Sequence, residues 1–460
     1  MIKGYRSLAH GHPFLYRRVS NFSALNICCS DFLYRFKMAS PAKEDIAVTN
    51  FRRYIRVNTE QPNPDYESCR KFLFELGEEL GFECNSYECV KGKPMVWLTK
   101  YGTDLSKKSL MLYSHTDVVP TFKDKWTYDP YAAVKDDQGR IYGRGTQDMK
   151  SVGIQYIEAL RRLLKSGNDK FLRTIHIVFG PGFVPPTYIV FETHILLFVE
   201  EELGGAEGME LFIETDKFRS LNIGFSLDEG IANPEDHFKV YYAERCPWWV
   251  KVTCPGSPGH GSRFLENTPG AKLQRVINNF LGWREVQKAY LEAREDTMTL
   301  GDITSCNLTK VEGGVQMNVV PDEMSAYFDI RVTPTDDYDE LEKKIAGFCK
   351  DAGDDVQYSF VQKTMIKNMT PTEKTDPWWN IFSSILERNN LAYKKEIFVG
   401  ATDSRFLRRA GYKAIGFSPM KNTPTLLHDH DEFLTEDEYL RGVAIYEQLI
   451  TALANNINGD

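Results

Sequence analysis

Leu110-Met111-Leu112-Tyr113-Ser114-His115-Thr116-Asp117-Val118-Val119-Pro120 is an apolar run that ends abruptly in a histidine and an acid. Such a short, nearly continuous run reads as a buried parallel strand, here over 110–114. The next marked stretch is Gly143-Arg144-Gly145-Thr146-Gln147-Asp148-Met149-Lys150. An amphipathic helix follows it, with Val152, Tyr156, Ala159, Leu160 and Leu163 on one face. Residues 173–179 and 223–227 are further buried strands, and 95–99 is another. Cys69, Leu73, Leu76 and Leu80 carry helical spacing between them and the chain start. This alternation predicts an α/β sheet, mixed but mostly parallel, with helices on both faces.

The pattern changes near Pro247. Residues 248–253 and 324–332 alternate as half-buried strands, 356–361 is a third short strand, and 271–288 and 338–352 are helical. That predicts a smaller α+β domain of two helices on one face of an antiparallel sheet. After residue 371 the first style returns, with helices over 378–389 and 436–455. The expected division is 39–246 and 363–460 as one interrupted domain, with 247–362 inserted. Residues 1–38 stand apart, because the first 37 hold six basic residues and one acid. They read as a mitochondrial leader or as an extension ahead of Met38, and are excluded from the fold either way.

The chain has 460 residues, 42% hydrophobic and 26% charged, which suits two or three folded domains and excludes a disordered or low-complexity protein. A net charge of −8 opposes sequence-independent nucleic-acid binding. The most apolar stretch, 175–199, is broken by Pro181, Gly182, Pro185 and Pro186, so no membrane span is expected. Nine cysteines without a CxxC motif indicate neither a disulfide framework nor a thiolate metal site, and fit a reducing, cytoplasmic compartment.

Five polar clusters carry the chemistry. They are Ser114–Pro120, Gly143–Lys150, Glu200-Glu201-Glu202-Leu203-Gly204-Gly205, Leu227-Asp228-Glu229-Gly230, and Leu427-His428-Asp429-His430-Asp431-Glu432. Acids and histidines at strand ends converge where open α/β sheets bind ligands. Two imidazoles and three carboxylates suit two metal ions about 3.5–4 Å apart that share one carboxylate. A further carboxylate could then take a proton from water. Each residue also has an ordinary reading: Asp148 as a helix cap, Glu200–Glu202 as a solvated charge run, His428 and His430 as exposed side chains.

These motifs resemble the M20 family of dizinc amidohydrolases. Tyr242-Ala243-Glu244-Arg245-Cys246-Pro247-Trp248-Trp249, Pro258-Gly259-His260-Gly261-Ser262-Arg263-Phe264 and Gly416-Phe417-Ser418-Pro419-Met420 are similar, more narrowly, to its N-acyl-L-amino-acid amidohydrolase branch. The resemblance implies His115, Asp148 and Glu229 on one zinc, and Asp148, Glu202 and His428 on a second. It implies Asp117 as the residue orienting His115 and Glu201 as general base and acid. It implies His428 rather than His430 as ligand, since an acid and then Glu432 follow at the family's spacing. The smaller domain becomes a lid and dimerisation domain. From it His260 would reach the partner's site in a homodimer, while Arg405 would receive the carboxylate of an N-acyl amino acid. The fold implied is zinc-peptidase-like. A dipeptidase or another N-deacetylase uses the same zinc chemistry.

The sequence departs from that pattern at residues 182–199. They separate the strand 173–179 from Glu200–Glu202, and deleting them restores the expected spacing. They end in a second strand-like run, 193–199, so two segments compete for one central strand position, with 173–179 favoured by its Pro181 turn. If the segment disrupts the site, the alternative is a dimeric binding protein without catalysis.

Overall fold

The computed structural model describes residues 44–181 and 207–459. Residues 1–38, the segment 182–199 and the cluster Glu200–Glu202 therefore lie outside the described residues. The first part of the chain forms α1 (Ile46–Ile55), α2 (Tyr66–Glu79), β1 (Glu83–Val90), β2 (Lys93–Lys100), β3 (Ser109–His115), β4 (Arg140–Tyr142), α3 (Lys150–Lys165) and β5 (Ile175–Gly180). After residue 207 come α4 (Met209–Phe212), α5 (Asp216–Ser220), β6 (Ile223–Asp228) and β7 (Phe238–Glu244). The middle part forms β8 (Cys246–Pro255), β9 (Gly259–His260), α6 (Pro269–Glu292), β10 (Ser305–Gly313), β11 (Val319–Val320), β12 (Glu323–Val332), α7 (Tyr338–Ala352) and β13 (Gln357–Lys363). The chain closes with α8 (Pro377–Arg388), β14 (Tyr393–Phe398), α9 (Ser404–Arg409), β15 (Lys413–Gly416), β16 (Phe433–Thr435) and α10 (Glu436–Ala454).

Eight strands make one sheet in the order β1-β2-β5-β3-β6-β15-β7-β14. The centre is parallel, with β3 between β5 and β6, and β1, β2 and the β15–β7 contact are antiparallel. Alternation along β3 divides the core. Leu110 and Leu112 face the cluster that includes α1, α3, α8 and α10, while Met111 and Tyr113 face α4, α5 and α9. The sheet is thus covered on both faces, as a run of apolar strands requires. The position contested between 173–179 and 193–199 is filled by Ile175–Gly180, which pairs with both β2 and β3.

The middle part has a separate core. Its sheet runs β10-β12-β8-β13, with Trp248, Val250, Val252 and Cys254 of β8 alternating into contact with α6 and α7. The sequence reading finds three of these four strands. It misses β10, an edge strand whose Lys310, Glu312 and Gly313 dilute the period-two signal. No helix among the described residues is long and apolar enough to cross a membrane.

Candidate metal centre

Four segments bring the acids and histidines together. His115 is the last residue of β3 and Glu229 follows the last residue of β6, so two adjacent parallel strands deliver them side by side. Asp148 comes from the loop before α3. It does not cap that helix: Met149 is the N-cap, without a side-chain hydrogen bond. Instead its Oδ1 lies 3.0 Å from His115 Nε2, and its Oδ2 lies 3.2 Å from His428 Nε2. Glu229 Oε2 is 3.4 Å from His115 Nε2. The donor atoms of His115, Asp148 and Glu229 all fall within 4.8 Å of one another.

One carboxylate facing two imidazoles through its two oxygens is the geometry that a bridging ligand needs. The orientation of His115 points the same way. Its Nδ1 lies 3.0 Å from the main-chain carbonyl oxygen of Asp117, which leaves Nε2 directed at two carboxylates. The Asp117 carboxylate sits farther from Nδ1, at 3.6 Å, and is itself held by Gln61 Nε2 at 2.8 Å. Asp117 therefore orients the ring first through its backbone and then through its side chain.

The electrostatics of these residues call for a cation. Burial alone would lower the His115 pKa, but Glu229, Asp117 and Asp148 together raise it well above the ordinary imidazole value. Burial, and next the charge on Asp148, push Glu229 well above the usual carboxylate range. Asp148 is also buried, yet His115 and His428 hold it well below that range. Nitrogen and oxygen donors in this arrangement fit a divalent metal ion of the zinc type.

Of the remaining residues singled out in the sequence, Glu201 and Glu202 lie outside the described residues. His430 has no such contact with Asp148: its main-chain nitrogen donates to Asp429 Oδ1, and its Nδ1 has no hydrogen-bond partner among the described residues. His260 is exposed on β9, paired with Val319 of β11 and bonded to Ser262. It stands on the two-stranded β9–β11 sheet rather than among the clustered residues. Arg405 is half-buried on α9, 4.6 Å from the Phe406 ring. It shares a cleft with Glu244, Arg245, Cys246 and Asn368, where β7 passes into β8.

The sequence analysis assigns no role to the groups that fix this cleft to the metal centre. Asp228 precedes Glu229 and accepts from Glu229 N at 2.7 Å and from Ser404 Oγ at 2.6 Å. Tyr113, two residues before His115, donates to Asp403, whose carboxyl burial pushes up to about 7. Glu244 accepts from Thr402 and from Arg408. The start of α9, which carries Arg405, is thereby tied to β3, β6 and β7. The signal available in sequence was position: Asp228 and Tyr113 lie one and two residues from proposed ligands.

The chain is similar to known proteins in sequence and in fold. Residues 111–182 match the peptidase family M20/M25/M40, and residues 242–356 match the peptidase dimerisation domain. The first match ends at residue 182, where the interrupting segment begins. Aminoacylase-1 of Mus musculus is 50% identical over 415 residues, covering 90% of this chain and 97% of that protein. Aminoacylase-1 of Homo sapiens is 47% identical over the same shares. Among solved structures, an M20 family metallo-carboxypeptidase from Sulfolobus solfataricus superposes with a TM-score of 0.64 at 16% identity, covering 89% of this chain and 99% of that one. That likeness concerns the fold alone. The chain belongs to the M20 peptidase family, as an aminoacylase-like, metal-dependent amidohydrolase.

Proposed function

We infer that the chain hydrolyses N-acyl-L-amino acids to a carboxylate and a free L-amino acid, using two zinc ions per subunit. The observation that carries this reading is the placement of Asp148 between His115 and His428, in a chain half identical to aminoacylase-1. His115, Asp148 and Glu229 would hold one ion; Asp148 and His428 would hold the other, together with Glu202. Bound there, zinc supplies Lewis-acid polarisation of the scissile acyl carbonyl.

The remaining work falls to side chains. Asp117 keeps the His115 proton on Nδ1. Glu201 takes a proton from water and returns it to the departing amine, a transfer worth roughly 10²–10⁴-fold in rate. Arg405 receives the substrate carboxylate as a bidentate pair. The domain expected over 247–362 serves as lid and dimerisation unit of a homodimer, and His260 from the partner's lid stabilises the developing oxyanion. A cytoplasmic location goes with this reading.

The test compares three substrates on the purified chain: N-acetyl-L-methionine, its carboxamide, and the dipeptide alanyl-methionine. Turnover of the first, with large losses on the other two, is expected. Preference for the dipeptide would replace this reading with a dipeptidase.

A further inference from the structure

We propose that Glu432 and Gln147 form a reciprocal clamp that fixes Asp148 against His428, and so sets the affinity of the metal position those two residues share. Both are positioning residues, and the proposal rests on the two-ion reading above.

Glu432 is completely buried, and its carboxylate collects a donor from each of the residues 144–148. Its Oε2 accepts from Arg144 Nη1 at 2.8 Å and from Gly145 N at 3.2 Å. Its Oε1 accepts from Gln147 N at 2.6 Å, Thr146 Oγ1 at 3.3 Å and Asp148 N at 3.4 Å. A buried carboxylate is stable only when its oxygens are satisfied in this way, and such charge-assisted bonds fix the donors as much as the acceptor.

Gln147 returns the grip. Its Nε2 donates to Pro424 O at 3.0 Å and Phe433 O at 2.9 Å, and its Oε1 accepts from Leu426 N at 2.9 Å. Leu426 and Glu432 lie two residues before and four residues after His428, so the clamp holds the histidine's turn at both ends. That turn needs holding, because His428 at φ +63° and Asp431 at φ +55° occupy the left-handed region that non-glycine residues avoid. The other position is built differently. It shares Asp148, but its other two residues, His115 and Glu229, are delivered by paired strands of the central sheet, and among the described residues the contacts of Glu432 and Gln147 given above do not reach them. Weakening the clamp should therefore act on both ligands at the position that includes His428 and on Asp148 alone at the other, so the first should lose more affinity.

The experiment titrates zinc against a chromophoric competitor into the metal-free full chain, its Glu432→Gln variant and its Gln147→Met variant. Melting temperatures are recorded in chelator. The native chain should take up two equivalents. Each variant should lose about 10–100-fold in affinity for one equivalent, the range found when groups supporting metal ligands are removed, and clearly less for the other. Excess zinc should restore turnover. If Glu432→Gln does not fold, Gln147→Met decides, since it removes three bonds without unpairing Arg144. Two equivalents bound as tightly as in the native chain, or both weakened alike alongside a lower melting temperature, would overturn the clamp. A native chain that binds one equivalent would instead overturn the two-ion reading, without any substitution being involved.

Discussion

His428 and His430 sit two residues apart in one exposed-looking run, and only the first turns its Nε2 toward Asp148. The family resemblance also favours His428 over His430, and in the structure His428 takes a left-handed backbone, at φ +63°. His428→Ala should lower zinc content by one ion per chain, whereas His430→Ala should leave it unchanged, as read by elemental analysis after dialysis. His176 shows the opposite case, a histidine used only for packing. Its Nδ1 meets Thr99 Oγ1 at 2.9 Å and its Nε2 meets Leu221 O at 3.2 Å, a pairing satisfied by the neutral ring. Burial lowers its pKa to about 4. Above pH 6.5 its contribution to stability is complete. As pH falls from 6.5 toward 4 the unfolded chain binds a proton that the folded chain refuses, and stability declines. Between pH 7.5 and 5 the native chain should lose about 2 kcal/mol more than His176→Gln, measured by urea unfolding.

At the scale of elements, α3 shows why the strand-helix reading succeeded. Its face over Val152, Tyr156, Ala159, Leu160 and Leu163 is buried, and its close docking depends on Gly153. A Cβ there would lie 2.8 Å from both Phe179 Cε1 and Ser114 Oγ, atoms of the two strands beneath it. Gly153→Ala should therefore cost roughly 1–3 kcal/mol by overpacking. Gly347, in α7, has open space where a Cβ would go, so Gly347→Ala should gain up to about 1 kcal/mol of stability. Thermal and urea unfolding of the two variants would check both signs. Strongly periodic elements were legible: α7 was read residue for residue, and β3, β5 and β6 to within two. Two kinds of feature were not. Polar edge strands such as β10 lack a burial period to read. Contacts across the chain, such as Glu432 to the loop at 144–148, leave no local trace, because residues nearly three hundred positions apart meet only through the fold.

At the scale of the whole molecule, one feature is the exposure of apolar side chains around β9 and β11. Phe264, Val315 and Met317 are almost fully exposed, at 106%, 90% and 108%, and they flank His260, within the stretch that matches the dimerisation domain. Apolar groups held out in this way are expected to be covered by another surface, which supports a partner subunit that buries them and receives His260. A chain with His260→Ala and a chain with Glu201→Gln, each nearly inactive alone, should then recover activity when mixed into heterodimers. The heterodimer would hold one intact site built from both subunits. No recovery in confirmed heterodimers would place the whole site within one chain.

We infer that the carboxylate of Asp148, shared between two zinc ions, lets this chain hydrolyse N-acyl amino acids. This is tested most directly by adding zinc stepwise to the metal-free chain while following methionine release from N-acetyl-L-methionine in the same sample. Almost no turnover is expected without metal, with activity rising to a plateau at two equivalents per chain. Full turnover in the metal-free chain, or no methionine released at two equivalents of bound zinc, would contradict it.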